Sequence, residues 1–334
     1  MGSGMEGAET KTAGAPTDRL GKTMFNKIGG QAVIEGVMMR APGVVATAVR
    51  RPDGSIAIRR REFRSVVEKF RFLRLPILRG AVVLVESLGL GMSALMWSAE
   101  EAADEPDKKK RDEKENGKGG GKEGGHGWTL WLTLVLSLAI GIGFFFYLPL
   151  LVTEWLGVEG GVAFNLVDGV IRLLFLLAYV KAISLWGEMR RVLAYHGAEH
   201  KSIYNLESGL DLAVGNAQGF TTLHPRCGTS FLFIVMMTSV IVFCFLGRPD
   251  SIQDRLLRLA FVPVVGGISY EFLKISGKWA DRRWMKPFIR PGLFLQTMTT
   301  REPDDDQVEV ALTAMRSALG DRVDDREGIL SDVG

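Results

Sequence analysis

The stretch Ser230-Phe-Leu-Phe-Ile-Val-Met-Met-Thr-Ser-Val-Ile-Val-Phe-Cys-Phe-Leu246 carries no charged side chain. A helix needs about 20 mostly apolar residues to cross a bilayer, and a block of this texture reads as one such helix. Three further blocks share the texture: Trp128–Val152, Phe164–Trp186 and Leu256–Ile275. The second of these carries Asp168, Arg172 and Lys181, and the last carries Glu271. A fifth block, Ile77–Trp97, is apolar enough to span but contains Arg79, Glu86 and several glycines. The expected fold is therefore mainly α: a polytopic helical membrane protein with about four transmembrane helices and one interfacial or re-entrant helix at 76–100.

Composition averaged over the chain hides this pattern. The 334 residues are 47% hydrophobic and 24% charged, figures that resemble a soluble enzyme. The formal net charge of +3, from 41 Lys/Arg against 38 Asp/Glu, gives no support to a nucleic-acid binder. Of the two cysteines, Cys244 lies within an apolar block, so no disulfide framework is expected. Residues 1–24 are polar and lack a basic start followed by an apolar core, so no secretory signal is read there and insertion is assigned to internal segments.

Working outward, residues 1–24 read as a disordered leader and 25–75 as a small, basic, β-rich element. Val45–Val49 and Ser55–Ile58 flank Pro52-Asp53-Gly54, a turn signal, and such an element is too small to bury much core alone. The Glu/Asp/Lys/Gly run at 101–127 cannot offset its ordering entropy and reads as a linker. The membrane body occupies 128–276, with an inner loop at 188–228, and 277–320 forms a C-terminal segment before a tail at 321–334. In that segment Asp304 with Gln307 makes a capping box for a helix Asp305–Leu319, whose Val308, Leu312, Met315 and Leu319 form one stripe.

Loop charge sets the orientation. Residues 40–79 hold eleven Lys/Arg against three acids, which places them in the cytoplasm. The loop Thr153–Val162 has acids and no base, whereas 188–228 and the segment after Lys278 are basic. Four spans with both termini cytoplasmic, in the cytoplasmic membrane, satisfy all of these. The cluster including Arg59, Arg60, Arg61 and Arg64 is read as this orientation signal plus attraction to anionic lipid headgroups. The expected partner is the bilayer, with no nucleic acid; oligomeric state is left unassigned.

The chemistry concentrates in one region. Three of the four histidines, His196, His200 and His224, lie within 29 residues. His196-Gly-Ala-Glu-His200 has the H-x-x-E-H pattern, and on a helix over Trp186–Leu206 its two imidazoles face the same way and can share one ion. That helix is expected to continue from the second span and to stop at Gly209. Glu199 sits on the neighbouring edge, placed to act as general base toward water. His224-Pro-Arg-Cys227 offers further ligands, and imidazole with thiolate suits zinc. Glu271 is the alternative carboxylate ligand. Arg226 is expected to favour the Cys227 thiolate, and Glu35, an acid in an apolar stretch, is a minority candidate for supporting the ligands.

These motifs resemble a known family. Gly29-Gly-Gln-Ala-Val-Ile-Glu-Gly-Val-Met-Met-Arg40, the His196–Ser202 segment, His224–Ser230, Pro291–Gln296 and Thr300–Pro303 look like the YqhQ-like family of bacterial and plastid membrane proteins, described as predicted metal-dependent enzymes. The resemblance covers about residues 24–320 and implies an integral membrane protein with a divalent metal at the His/Glu/Cys motifs. The leading expectation is a zinc-type hydrolase working at the cytoplasmic face on a lipid-linked or peptide substrate. Two alternatives stand beside it: a scaffold or assembly factor stapled by a structural metal, and a transporter that uses the charges within the spans.

Overall fold

A computed structural model describes residues 28–103, 124–280 and 282–320. The leader, most of the charged linker and the tail read from the sequence lie outside these residues.

The fold begins with an antiparallel meander: β1 (Gly29–Val33), β2 (Gly36–Ala41), β3 (Val44–Arg50) and β4 (Ile56–Glu62), paired in that order. The β3–β4 hairpin turns at the Pro52-Asp53-Gly54 signal, where the Asp53 carboxylate accepts from Ser55 N and Oγ. The β1–β2 turn closes tightly at Val33↔Gly36, with Glu35 in the left-handed region at φ 50°. Gly36 is required there, since a Cβ would sit 2.1 Å from Ala48 O.

The rest is helical: α1 (Val66–Lys69), α2 (Leu78–Glu101), α3 (Gly124–Ile142), α4 (Leu148–Trp155), α5 (Gly161–Ser184), α6 (Gly187–Ser208), α7 (Val214–Gln218), α8 (Gly228–Leu246), α9 (Ile252–Ala260), α10 (Val262–Lys278), α11 (Lys286–Thr299) and α12 (Asp305–Leu319). A π-turn at Gly143–Tyr147 joins α3 to α4. Among the described residues, four helices are long and apolar enough to cross a membrane: Leu78–Glu101, Val135–Trp155, Gly228–Leu246 and Ile252–Lys278. Three coincide with blocks read as spans. The fourth is the block read as interfacial or re-entrant, which is one unbroken helix. The expected second span coincides with α5, 24 residues long, which is not among those four. Its Asp168 and Arg172 pair at 2.8 Å, so two charges that would be costly in lipid neutralise each other.

The sheet is sandwiched, as an element too small for its own core must be. One face, with Val37, Met39, Ala46 and Ala48, packs on Tyr195, Ala198, Ile203 and Leu206 of α6 and on Val308, Leu312 and Met315 of α12. The other face, with Val33, Met38, Val45 and Val49, packs on Leu90, Ala94, Leu95 and Trp97 of α2. The α12 start carries the expected reciprocal Asp304–Gln307 capping box. One expectation fails. α6 does not continue from α5, because the backbone is extended at Trp186 (ψ 134°) and α6 starts afresh. Apolar periodicity runs through this point without Pro or Gly ahead of it, so the break left no mark before Gly187.

Candidate metal centre

Helix α6 is buried from Ala194 to Leu206 except at His196 and Tyr204, although many of its side chains are polar. Each buried polar group therefore needs a partner. Lys201 Nζ donates to Gln218 O (3.1 Å) and Oε1 (3.0 Å) and pairs with Glu302 at 2.8 Å. Ser202 Oγ donates to Ala198 O at 2.8 Å, and Asn205 Nδ2 to Asp211 O at 2.9 Å.

The histidines follow a different rule. His196 Nδ1 lies 2.7 Å from Thr299 O and His200 Nδ1 lies 2.5 Å from Thr222 O. A carbonyl only accepts, so both Nδ1 atoms carry hydrogen, and in a neutral ring each Nε2 then presents a lone pair. Carbonyl-oriented imidazoles of this kind are how proteins aim histidine at a metal. The His200 Nε2 is buried with no hydrogen-bond partner. Cys227 closes the group: its Sγ is 3.2 Å from His196 Nε2, and ligand atoms of His196, His200 and Cys227 all lie within 4.8 Å of one another.

The 3.2 Å separation of His196 Nε2 and Cys227 Sγ is close to that around a small tetrahedral ion. Bonds of about 2.0 Å to nitrogen and about 2.3 Å to sulfur put ligand atoms roughly 3.3–3.6 Å apart. Glu199 lies beside the group, with Oε2 3.9 Å from His196 Nε2 and 4.0 Å from His200 Nε2. Cys227 also N-caps α8, accepting from Thr229 N at 3.4 Å.

Local sequence explains how the site is assembled. Gly197, inside the H-x-x-E-H pattern, lets the Arg301 backbone lie against α6: a Cβ there would be 2.1 Å from Arg301 O. That contact delivers Thr299 O to His196. Gly30 lets β1 lie down on Glu199, where a Cβ would be 2.7 Å from Glu199 Cγ. Gln296 clamps the loop: its Oε1 accepts from His224 N (2.8 Å), and its Nε2 donates to His224 O (2.8 Å) and Ser230 Oγ (3.0 Å). None of Gly197, Gln296, Thr222 or Thr299 was singled out from the sequence as part of the site.

The other sequence candidates are placed as follows. His224 is adjacent but outside the three-residue group: its ring centroid is 5.7 Å from His200, its Nε2 is buried without a hydrogen bond, and Tyr204 packs on it at 4.5 Å. Burial pushes its pKa down to about 4, with Glu199 opposing, so it is neutral at pH 7. Glu271 is held by Arg79 through contacts of 2.5–3.1 Å and does not join the group. Arg226 pairs with Glu207. Glu35 pairs with Arg191 (2.5 Å) and meets Tyr195 OH at 3.3 Å, away from the ligand atoms. Arg59 stacks on Trp97, Arg60 donates to Ser317 O and Arg61 to Ser93 Oγ, while Arg64 follows the end of β4.

A family profile described as "Protein of unknown function (DUF1385)" matches residues 75–321, a span that includes every ligand atom above. The chain belongs to this family. It is similar to "Uncharacterized protein YqhQ" of Bacillus subtilis (strain 168), with 34% identity over 298 residues, 87% of this chain and 92% of that protein. No solved structure matches. The family's description assigns no chemistry, so a functional reading rests on the geometry of the site.

Proposed function

We propose that this chain is a multi-pass membrane enzyme, a hydrolase that uses one zinc-type ion held by His196, His200 and Cys227 at the cytoplasmic face. The observation that carries the reading is the buried, partnerless His200 Nε2 converging with His196 Nε2 and Cys227 Sγ. Leaving such a lone pair buried and unused costs about 1–3 kcal/mol, which an ion would recover. Three protein ligands leave one position of a tetrahedral ion open, the arrangement of catalytic rather than closed sites.

An ion there supplies Lewis-acid polarisation and acidifies water toward neutral pH. The chain's own groups do the rest. Thr299 O and Thr222 O hold the imidazoles in the tautomer that offers Nε2. Glu199 Oε2, equidistant from both Nε2 atoms, is the carboxylate placed to take a proton from water. The side chain is only 6% exposed, so access to it is narrow and the group to be cleaved must be presented end-on. Lipid-linked and peptide substrates at the membrane surface both meet that requirement.

That same burial favours a second reading, in which Glu199 is the fourth ligand and the ion only staples the inner loop to α6. Glu199→Gln separates the two. Under the enzyme reading it keeps its ion and loses turnover of whichever phosphoester, amide or lipid ester the wild type cleaves. Loss of the ion in Glu199→Gln would instead show a closed, structural site.

A further inference from the structure

We propose that residues 63–90 enter one leaflet of the bilayer as a hairpin and turn back near its midplane, so that α2 does not cross and α5 does. The occupant of the outward apolar face is then the acyl region of the leaflet adjoining the sheet. The inference rests on the membrane placement above and is independent of the metal.

Both ends of the segment sit on the same sheet. At the start, Phe63 N donates to Gly43 O (3.0 Å), and Ser65 Oγ and Val66 N donate to the Glu86 carboxylate at 2.7 and 2.6 Å. At the end, α2 packs on the sheet through Leu90 and Ala94, Ile34 N donates to Ser98 Oγ at 3.2 Å, and Arg51 pairs with Glu101 at 2.7 Å. A segment with both flanks on one rigid body crosses a membrane an even number of times or not at all. From Leu78 to Glu86, where α2 is already level with Ser65, the helix rises about 12 Å. That is under half of a hydrocarbon core about 30 Å thick, so no crossing fits.

The depth has an independent marker. Near the start of α2, a Cβ on Gly80 would lie 2.7 Å from Gly267 O, and one on Gly266 would lie 3.3 Å from the Leu84 side chain. Gly267 is eleven residues before the end of α10, about 16 Å along that helix, which is half the core. The Arg79–Glu271 pair at 2.5 Å neutralises the two charges carried to this depth. Outward from the protein, Phe72, Leu75, Val85 and Leu88 are exposed, a surface suited to acyl chains. Arg74 folds back onto Val67 O and Glu68 O, directing its charge toward the headgroups.

Parity then assigns α5. The sheet, α6 and α12 share one core and so lie on one side. Between the sheet-bound end of α2 and α6, the chain passes out through Val135–Trp155 and must return, and α5 is the helix available among the described residues.

The test is single-cysteine labelling with a membrane-impermeant maleimide in sealed vesicles of both orientations, in a Cys244→Ser background that retains buried Cys227 as the blank. The positions are Pro52→Cys, Glu100→Cys and Glu159→Cys, all exposed, together with a nitroxide on Leu75→Cys. The expected result is that Pro52→Cys and Glu100→Cys label from one face only and Glu159→Cys from the other. The Leu75 nitroxide would collide with oxygen in preference to a water-soluble paramagnet. Pro52→Cys and Glu100→Cys labelling from opposite faces, or a water-exposed Leu75 nitroxide, would overturn the hairpin. Equal labelling of all three from both faces would overturn the membrane placement instead.

Discussion

Replacing Gly197 with alanine inverts an ordinary expectation. Within a helix, Gly→Ala stabilises by about 1 kcal/mol when the new methyl meets open space. Here the methyl carbon would stand 2.1 Å from Arg301 O, 3.1 Å from Thr222 Cγ2 and 3.2 Å from Arg301 C. Moving the first contact out to 3.4 Å requires a shift of about 1.3 Å between α6 and the Thr299–Arg301 strap. The neighbour is backbone and cannot rotate away, so the cost sits at the upper end of overpacking, about 3 kcal/mol. The strap's bond from Arg301 N to Leu193 O, 2.9 Å long, is lost as well, adding about 1 kcal/mol and cancelling the propensity gain. The net expectation is destabilisation by about 3 kcal/mol. The same shift breaks the 2.7 Å contact of Thr299 O with His196 Nδ1, and loss of such a supporting contact typically weakens metal binding about 10–100-fold. Denaturant unfolding in detergent and competitive metal titration read both effects. Gly215→Ala, where nothing lies within 4 Å, is the control and should be neutral or slightly stabilising. A Gly197→Ala protein as stable as wild type, with unchanged metal affinity, would refute the strap as the element that aims His196.

Other consequences are open to measurement. Gln296→Leu removes all three clamp bonds and strands His224 N and O in the interior; unfolding should show a loss of about 2–4 kcal/mol, with lowered metal affinity, since Thr299 lies one helical turn away. In chelator-treated protein, His224 gives stability a pH dependence. Its folded pKa is held to about 4 against an ordinary 6.5, so the unfolded chain binds more protons in that window and stability falls as pH drops from 6.5 toward 4. His224→Gln should flatten that slope; an unchanged slope would place the proton uptake elsewhere. Asp168→Asn, at the same residue volume, leaves the buried Arg172 guanidinium without the opposite charge now 2.8 Å away. Removing one partner of such a pair costs about 3–5 kcal/mol, readable as lower yield and thermal stability, and wild-type stability would contradict the pairing.

Much of the architecture was legible because it is written in local patterns. The Pro52-Asp53-Gly54 turn and the Asp304–Gln307 box each fix a structure within a few residues, and both elements form where those signals place them. Gly209 ends α6 in the left-handed conformation its position announces. His196 and His200 share a helix face by periodicity alone, and Cys227 joins them through a turn. What escaped was nonlocal. The carbonyls that set the histidine tautomers belong to Thr222 and Thr299, 22 and 103 residues from their partners, and a carbonyl has no residue-type signature. Gly197 reads as a helix defect until Arg301 is seen to lie on it. Glu271 looked like a ligand because its partner, Arg79, is 192 residues away. For α2, loop charge already pointed to an interfacial or re-entrant helix, while the contacts with the sheet and with α10 that support the proposed hairpin are nonlocal.

The central claim is that His196, His200 and Cys227 hold one ion. X-ray absorption at the metal edge, on untagged protein purified with its metal, tests it most directly. The account predicts about one ion per chain with one sulfur at about 2.3 Å and nitrogen neighbours at about 2.0–2.1 Å, the sulfur shell vanishing in Cys227→Ser. Protein that carries no ion after zinc, manganese and iron have each been offered, or an ion whose shell contains no sulfur, would contradict it.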